Sequence, residues 1–192
     1  MAESAVAGTP GGSRRVCASG FRSALRRATA DEHLATETLF APFLNDASRR
    51  LGWYLAVQRS ALWALMQGCP PESAGCTASV MELVSRLDGD LAAMGVMPRA
   101  TPAPDRLDPL AVDYLVFGSR LGTEVIRRQI FGDTPVDDVP TYFRAKPRPD
   151  LWRIHCVSLD RIDPQSTRAS RIPRDVKTGF AVFDRAAQEQ RA

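Results

Sequence analysis

The chain has 192 residues, of which 44% are hydrophobic and 24% are charged, and its formal net charge is +3. This length and apolar content are typical of one globular domain and exclude wholesale disorder, collagen and a small disulfide scaffold. Because no apolar run reaches the roughly 20 residues that span a bilayer, and because basic and acidic residues alternate, we expect neither a membrane span nor a nucleic-acid partner.

The N-terminal segment and the cysteines indicate the cellular compartment. Residues 1–20 are rich in Ala, Gly and Ser and have no continuous apolar segment, so they differ from a secretory signal. We expect them to form a disordered leader on a cytoplasmic protein, with residues 21–190 as the folded domain. The four cysteines contain no Cys-x-x-Cys pair and no zinc-finger spacing. The loop from Cys69 to Cys76 is compatible with a small disulfide ring and also with two thiols between helices.

The apolar residues recur at helical spacing along the first half of the folded part, and they almost never alternate. This pattern predicts a first helix over about residues 23–45 and a second over about residues 48–68. A third helix has the clearest apolar face, formed by Val80, Leu83, Val84, Leu87, Leu91 and Met94. Gly95 follows it and predicts its C-terminal end.

The second half of the chain continues the helical pattern after a loop. Residues 96–107 contain three prolines, and Asp108 then supplies an N-cap with Pro109 at the first helical position. This fourth helix is predicted to end at Gly132, and the prolines of residues 140–149 interrupt the pattern. Two further helical stretches are predicted at about 151–162 and 176–187. The sequence therefore predicts an all-α bundle of six or seven helices.

The first residue with a chemical signal is His33, one of two histidines in the chain. It lies at the edge of the apolar stripe of the first helix, and Glu37 follows one turn later. A neutral imidazole in this position can coordinate a metal, with the carboxylate accepting a hydrogen bond from it. A structural or simply exposed histidine gives the same pattern, so the functional interpretation needs a second signal.

The second signal is a pair of glycines in the fourth helix. Gly118 and Gly122 lie one turn apart on one face, and each costs about 1 kcal/mol of helix stability relative to Ala. A close helix–helix crossing is one explanation for this bare face. The other is a flat ligand lying on the backbone, with Ser119 and free carbonyls holding an ordered water. Together with His33, the glycines suggest a planar ligand between two helices.

These two segments carry a resemblance to a known family. The segment LRRATADEH at residues 25–33, with Glu37 and Phe40 after it, resembles the proximal helix of heme oxygenases. The segment YLVFGSRLG at residues 114–122 is similar to the distal-helix Gly-Ser-x-Leu-Gly segment of the bacterial enzymes. The nearest likeness is to those that make biliverdin for bacteriophytochromes, and it spans about residues 21–185.

The resemblance implies a heme oxygenase-like fold in which heme lies between these two helices. His33 matches the axial ligand of the heme iron, and Arg26 matches a basic position that faces a heme propionate. Lys177, on the last helix, is a candidate second propionate contact. The other implied site residues are Gly118, Ser119 and Gly122 on the distal helix as catalytic residues, and Glu37 and Thr123 as further heme contacts.

The implied reaction is the opening of heme to biliverdin, with release of CO and ferrous iron, so that heme is both cofactor and substrate. The implied partners are a ferredoxin or reductase as electron donor and a bacteriophytochrome that receives biliverdin. The chain departs from the bacterial pattern at Phe117, where Glu is usual, and at Thr123, where a second small residue is frequent. Thr123 is compatible with crowding of the heme edge or with a place in the water network. Both departures bear on turnover more than on heme binding.

Three alternatives follow from the same residues. A heme-binding or sensing protein of the same fold keeps the pocket without efficient turnover. A thiamin-degrading hydrolase needs a nucleophilic cysteine in the pocket, for which Cys156 is the candidate. A DNA-binding helical module needs a continuous basic stripe, which Arg120, Arg127 and Arg128 do not form because they flank the glycine face. A di-iron site is excluded because neither histidine follows a Glu by three residues.

Overall fold

A computed structural model describes residues 20–70 and 74–191, with the backbone alone for residues 74–76. This part of the chain contains eight α-helices and no strand, which confirms the predicted all-α class. The helices are α1 (Phe21–Ala28), α2 (Ala30–Asn45), α3 (Ala47–Gln67), α4 (Ala74–Ala93), α5 (Pro109–Phe131), α6 (Thr141–Arg144), α7 (Pro149–Asp160) and α8 (Thr167–Glu189), and a short 3-10 helix spans Val136–Asp138.

Some sequence predictions fall outside the described residues. The predicted leader, residues 1–20, lies outside them apart from Gly20, and so do Cys17 and the side chain of Cys76. The two alternatives for the loop from Cys69 to Cys76 are therefore not decided. None of the helices in the described residues combines the length and apolar character that crossing a membrane requires.

Local signals in the sequence fix the ends of two helices. The Asp108 carboxylate accepts a hydrogen bond from the backbone N–H of Leu110 at 2.9 Å, and Pro109 occupies the first turn of α5. This is the predicted N-cap, and it satisfies one of the donors that a helix start leaves open. Gly95 has a φ of +67°, a left-handed conformation that glycine adopts without steric cost, and it follows the end of α4 as predicted.

The first predicted helix is divided in two. Thr29 has φ −119° and ψ 15°, which are not helical values, and its hydroxyl donates to the carbonyl of Leu25 at 3.0 Å. A threonine that bonds to the backbone in this way offers a local alternative to a regular helix. The prediction of one helix over residues 23–45 is therefore wrong at this point. The single-turn helix α6, within the proline-rich segment, was also not predicted.

The helices form one bundle around one core. α3 carries more buried residues than any other helix in the described part of the chain, and it packs against α4 and α8. α8 also packs against α1, α2 and α5, so it is a neighbour of most of the long helices. Its buried apolar residues include Ile172, Val176, Val182 and Phe183. The position of α8 between α2 and α5 determines the layout of the candidate site.

Gly179 allows α8 to approach α5 closely. A Cβ atom added at Gly179 would overlap Cδ1 of Leu115 on α5 and would lie 3.4 Å from Cδ2 of Leu65 on α3. Leu115 is itself buried, so its side chain has little space to move away. The glycine that serves helix packing in this bundle is therefore on α8.

Candidate functional site

His33 lies on α2 with its side chain 61% exposed. Its Nδ1 atom is 3.5 Å from Oε1 of Glu37, one turn later on the same helix. This arrangement directs Nδ1 toward the carboxylate, which leaves Nε2 as the nitrogen for an external ligand. On its other side, the imidazole meets the ring of Phe180 on α8 edge-on, with 6.0 Å between the ring centres.

Lys177 lies beside the same part of α2. Its Nζ is 2.7 Å from Oε1 of Glu32, and this hydrogen bond lowers the pKa of the Glu32 carboxyl. Lys177 and Phe180 are three residues apart, so they share one face of α8. The structure therefore places Lys177 close to the helix that carries His33. Its ammonium group has an acidic partner that the sequence analysis did not anticipate.

Arg26 is separated from this group by the interruption of the helix. It is exposed on α1, and the non-helical backbone at Thr29 lies between it and His33. Arg26 and His33 therefore lie on two separate helices, although one helix was predicted to carry both. In the described residues, no hydrogen bond or ion pair joins Arg26 to another candidate site residue.

The two glycines of α5 leave open space next to the helix. A Cβ atom added at Gly122 would have no non-neighbouring heavy atom within 4 Å, and one added at Gly118 would meet only the ring of Trp152, at 3.9 Å. The contact at Gly118 is at ordinary van der Waals distance, and the space beside Gly122 is open to solvent. Neither glycine is therefore required for a tight helix crossing in the described residues, and this face of α5 has room for a ligand.

The polar residues next to these glycines are bonded to their own helix. The hydroxyl of Ser119 donates to the carbonyl of Val116, and the hydroxyl of Thr123 donates to the carbonyl of Ser119, both at 2.9 Å. Thr123 is buried, with 3% of its surface exposed, whereas Gly122 is exposed. The side chain of Thr123 therefore lies in the core and not in the open space beside Gly122.

α8 connects the imidazole to the glycine face. Phe180 contacts His33 on α2, and the preceding residue, Gly179, packs against Leu115 on α5. Leu115 lies one turn before Gly118. α2 and α5 themselves do not pack extensively against each other in the part of the chain that the structure describes. The structure thus places the two predicted segments on helices that flank the same stretch of α8.

A buried histidine lies next to Trp152, the residue whose ring faces Gly118. His155 on α7 has a side chain only 2% exposed, and it contacts the rings of Tyr114, Phe117 and Trp152. Burial lowers its pKa to about 4. Neither ring nitrogen has a hydrogen-bond partner within the described residues, although Oδ2 of Asp113 is 4.0 Å from Nδ1. The sequence analysis missed this cluster, although the aromatic residues lie three positions apart on α5 and Trp152 lies three before His155.

The three arginines of α5 have different surroundings. Arg120 is buried, donates to the carbonyls of Tyr142 at 3.2 Å and Ala145 at 2.7 Å, and stacks on the Tyr142 ring at 4.8 Å. Arg127 and Arg128 both pair with a single glutamate of the same helix. In the described structure, these three side chains therefore do not line up as one exposed basic stripe.

Cys156 is buried on α7, and hydrogen bonding to its sulfur raises the pKa of Arg22 on α1. It lies one turn after Trp152, the residue of α7 that faces Gly118. The described contact of the thiol is with α1, so the structure adds no support for Cys156 as the nucleophile of a thiamin-degrading hydrolase.

The described residues contain no group of three or more His, Cys, Asp and Glu side chains arranged to hold a metal ion. The chain matches no model of a protein family, no curated protein and no solved structure. The class that the structure establishes is an all-α bundle. Its candidate site consists of an exposed imidazole on α2, a bare glycine face on α5, and α8 between these helices.

Proposed function

We propose that the chain binds heme between α2 and α5, with His33 as the iron ligand, and acts as a heme oxygenase. The observation that carries this proposal is the glycine face, since a side chain at Gly122 would fill space that nothing else in the described structure occupies. An open helical face of this kind fits a flat ligand lying on the backbone. The exposed His33, with Nδ1 directed toward Glu37, supplies a nitrogen donor on the neighbouring helix.

The residues around the site fit the chemistry of heme. Nε2 of His33 is a nitrogen atom of the type that binds heme iron, and Glu37 lies beside Nδ1, where it can orient the ring. Lys177 and Arg26 are the basic groups proposed to contact the two propionates. Phe180 meets the imidazole edge-on and gives that side of the site an apolar surface.

On α5, two glycines leave the backbone without side chains, and the polar groups beside them hydrogen-bond to their own helix. Gly118 and Gly122 let the backbone approach the ligand, and the hydroxyl of Ser119 keeps its oxygen free to accept a hydrogen bond while it donates to Val116. A water held at this oxygen is the proposed proton source. Bound heme supplies the iron that activates oxygen and the macrocycle that is opened to biliverdin, with electrons from a ferredoxin or reductase.

The first experiment measures binding of hemin to the full chain by visible absorption. We expect saturable binding with the spectrum of a histidine-ligated heme, and loss of that spectrum in His33→Ala. His155→Leu is the matched control because it removes the other histidine. If His155→Leu abolishes the spectrum and His33→Ala retains it, the assignment of the iron ligand is wrong.

The second experiment separates turnover from binding. The hemin complex is supplied with ascorbate as reductant under air, and the formation of biliverdin is followed by absorption and confirmed by chromatography. Conversion that depends on His33 supports the oxygenase proposal. Stable hemin binding through His33 without biliverdin would instead support the alternative of a heme-binding or sensing protein.

A further inference from the structure

A cavity of about 560 Å³ lies between the second half of α5 and the segment that follows it. This volume is within the range of about 300–1,000 Å³ that is usual for small-molecule sites. We call it the Arg144 pocket, and its lining is formed by Glu124, Arg127, Arg128, Phe131, Gly132, Thr134, Val136, Val139, Phe143, Arg144, Lys146, Pro147 and Pro149. None of the candidate heme residues lines it.

The Arg144 pocket lies on the opposite side of α5 from the glycine face. With about 100° of rotation per residue, Glu124 is about 160° around the helix from Gly122, and Phe131 is about 180° from it. The two faces of α5 therefore point in different directions. A ligand in the pocket would be separated from the proposed heme position by the helix itself.

The pocket carries an excess of positive charge. Four basic side chains line it, and Glu124 is the single carboxylate among its lining residues. Glu124 accepts hydrogen bonds from Arg127 and from Arg128, each at 2.8 Å, and these bonds hold its pKa down at about 2. Because this carboxylate already serves two arginines, the charge of the other two bases is not balanced within the pocket.

Arg144 and Lys146 lack strong partners in the described structure. The Nε atom of Arg144 is buried and has no hydrogen-bond partner there, although a buried donor of this kind is normally satisfied. The nearest carboxylate, Asp137, is 3.9 Å from Nη1 and is 95% exposed, which makes a weak pair. Lys146 is exposed and has no ion pair within the described residues.

The remaining lining is apolar. Val139 and Phe143 are buried beneath the basic groups, and Phe131 packs on Phe143 with 5.0 Å between ring centres. A ligand for this lining needs an apolar body to cover the rings and at least one negative group to satisfy Arg144. We propose that the Arg144 pocket binds a small organic anion, in which a phosphate or carboxylate is carried on an aromatic or aliphatic body.

The test titrates the full chain by calorimetry at physiological salt with 1-naphthyl phosphate and 1-naphthoate. Inorganic phosphate and 1-naphthol serve as the probes that lack one of the two features. We expect saturable 1:1 binding of at least one naphthyl anion, with at least tenfold weaker binding of inorganic phosphate and of 1-naphthol. The comparison of the two anions shows which negative group the pocket prefers.

Two charge-matched variants assign the binding to this pocket. Lys146→Glu reverses an exposed charge in the pocket and should weaken binding of the anion at least tenfold. Arg49→Glu makes the same charge change on α3, at a side chain that is 87% exposed, and should change the affinity for the anion less than twofold. Hemin binding should be the same in both variants, which separates this proposal from the heme proposal. Absence of saturable anion binding, or an equal effect of the two variants, would overturn it.

Discussion

The ammonium of Lys177 lies 2.7 Å from the carboxylate of Glu32, and this ion pair joins α8 to α2 at the residue preceding His33. Both side chains are partly exposed, so the pair contributes at most about 1 kcal/mol to the free energy of unfolding. Its more important consequence is competition. A heme propionate at Lys177 would compete with Glu32 for the same ammonium charge.

This competition predicts opposite effects for the two partners of the ion pair. Glu32→Gln should strengthen hemin binding several-fold because it frees the ammonium for a propionate, and Lys177→Gln should weaken it several-fold. The measurement is a hemin titration followed by absorption. Thermal unfolding of both variants without hemin is the control. Both lose the same ion pair, so this measurement gives the effect of that loss on stability. Weaker hemin binding in both variants would show that the pair only supports the structure.

Gly122 gives a prediction in which stability and function change in opposite directions. Its added Cβ meets no atom within 4 Å, so Gly122→Ala should raise the free energy of unfolding by about 1 kcal/mol and Tm by about 2–4 °C. The same methyl group should lower hemin affinity and the rate of biliverdin formation several-fold, because it stands on the face proposed for the ligand. Unchanged hemin binding in a stabilised protein would remove α5 from the heme site.

Gly179 provides the matched comparison on α8. Gly179→Ala also improves helix propensity, but its Cβ overlaps the buried side chain of Leu115. We expect a net loss of about 1–2 kcal/mol in the free energy of unfolding, because the core must repack around the added methyl group. Urea unfolding of both alanine variants measures the difference. A gain in stability for Gly179→Ala would mean that α8 and α5 separate easily.

The glycines of α5 and α8 show how far the sequence allows prediction. Gly118 and Gly122 are recognisable because two glycines one turn apart are unusual inside a helix, which is a local property of the chain. Gly179 is not recognisable from the sequence, since its role depends on which helix crosses α8. The helix ends at Gly95 and Asp108 were predictable because capping is also local.

The same distinction between local and long-range properties of the chain applies to the candidate site. The position of Glu37 beside His33 follows from helical spacing alone. The pairing of Lys177 with Glu32 depends on the packing of α8 against α2 and could not be derived from residues far apart in the chain. The interruption at Thr29 was missed for another reason, since a threonine hydroxyl bonding back to the chain is compatible with either a regular or an interrupted helix.

His155 determines the expected dependence of stability on pH. Burial lowers its pKa from about 6.5 to about 4, so between these values the unfolded chain binds a proton that the folded chain does not. Stability is therefore complete above about pH 6.5 and falls as the pH decreases toward 4. The loss over this window is about 3 kcal/mol, since each pKa unit corresponds to about 1.4 kcal/mol. Carboxylates with lowered pKa, such as Glu124 at about 2, lose their contribution only below about pH 4.5.

Urea unfolding at pH 7, 5.5 and 4.5 tests this prediction. The unmodified chain should lose stability steadily across the series, whereas His155→Leu should show a much smaller loss because it has no imidazole to titrate. His33→Ala is the control, since it removes the other imidazole of the chain, which is exposed on α2. If His155→Leu has the same slope as the unmodified chain, the acid sensitivity comes from other groups. In that case His155 does not remain neutral inside its ring of aromatic residues.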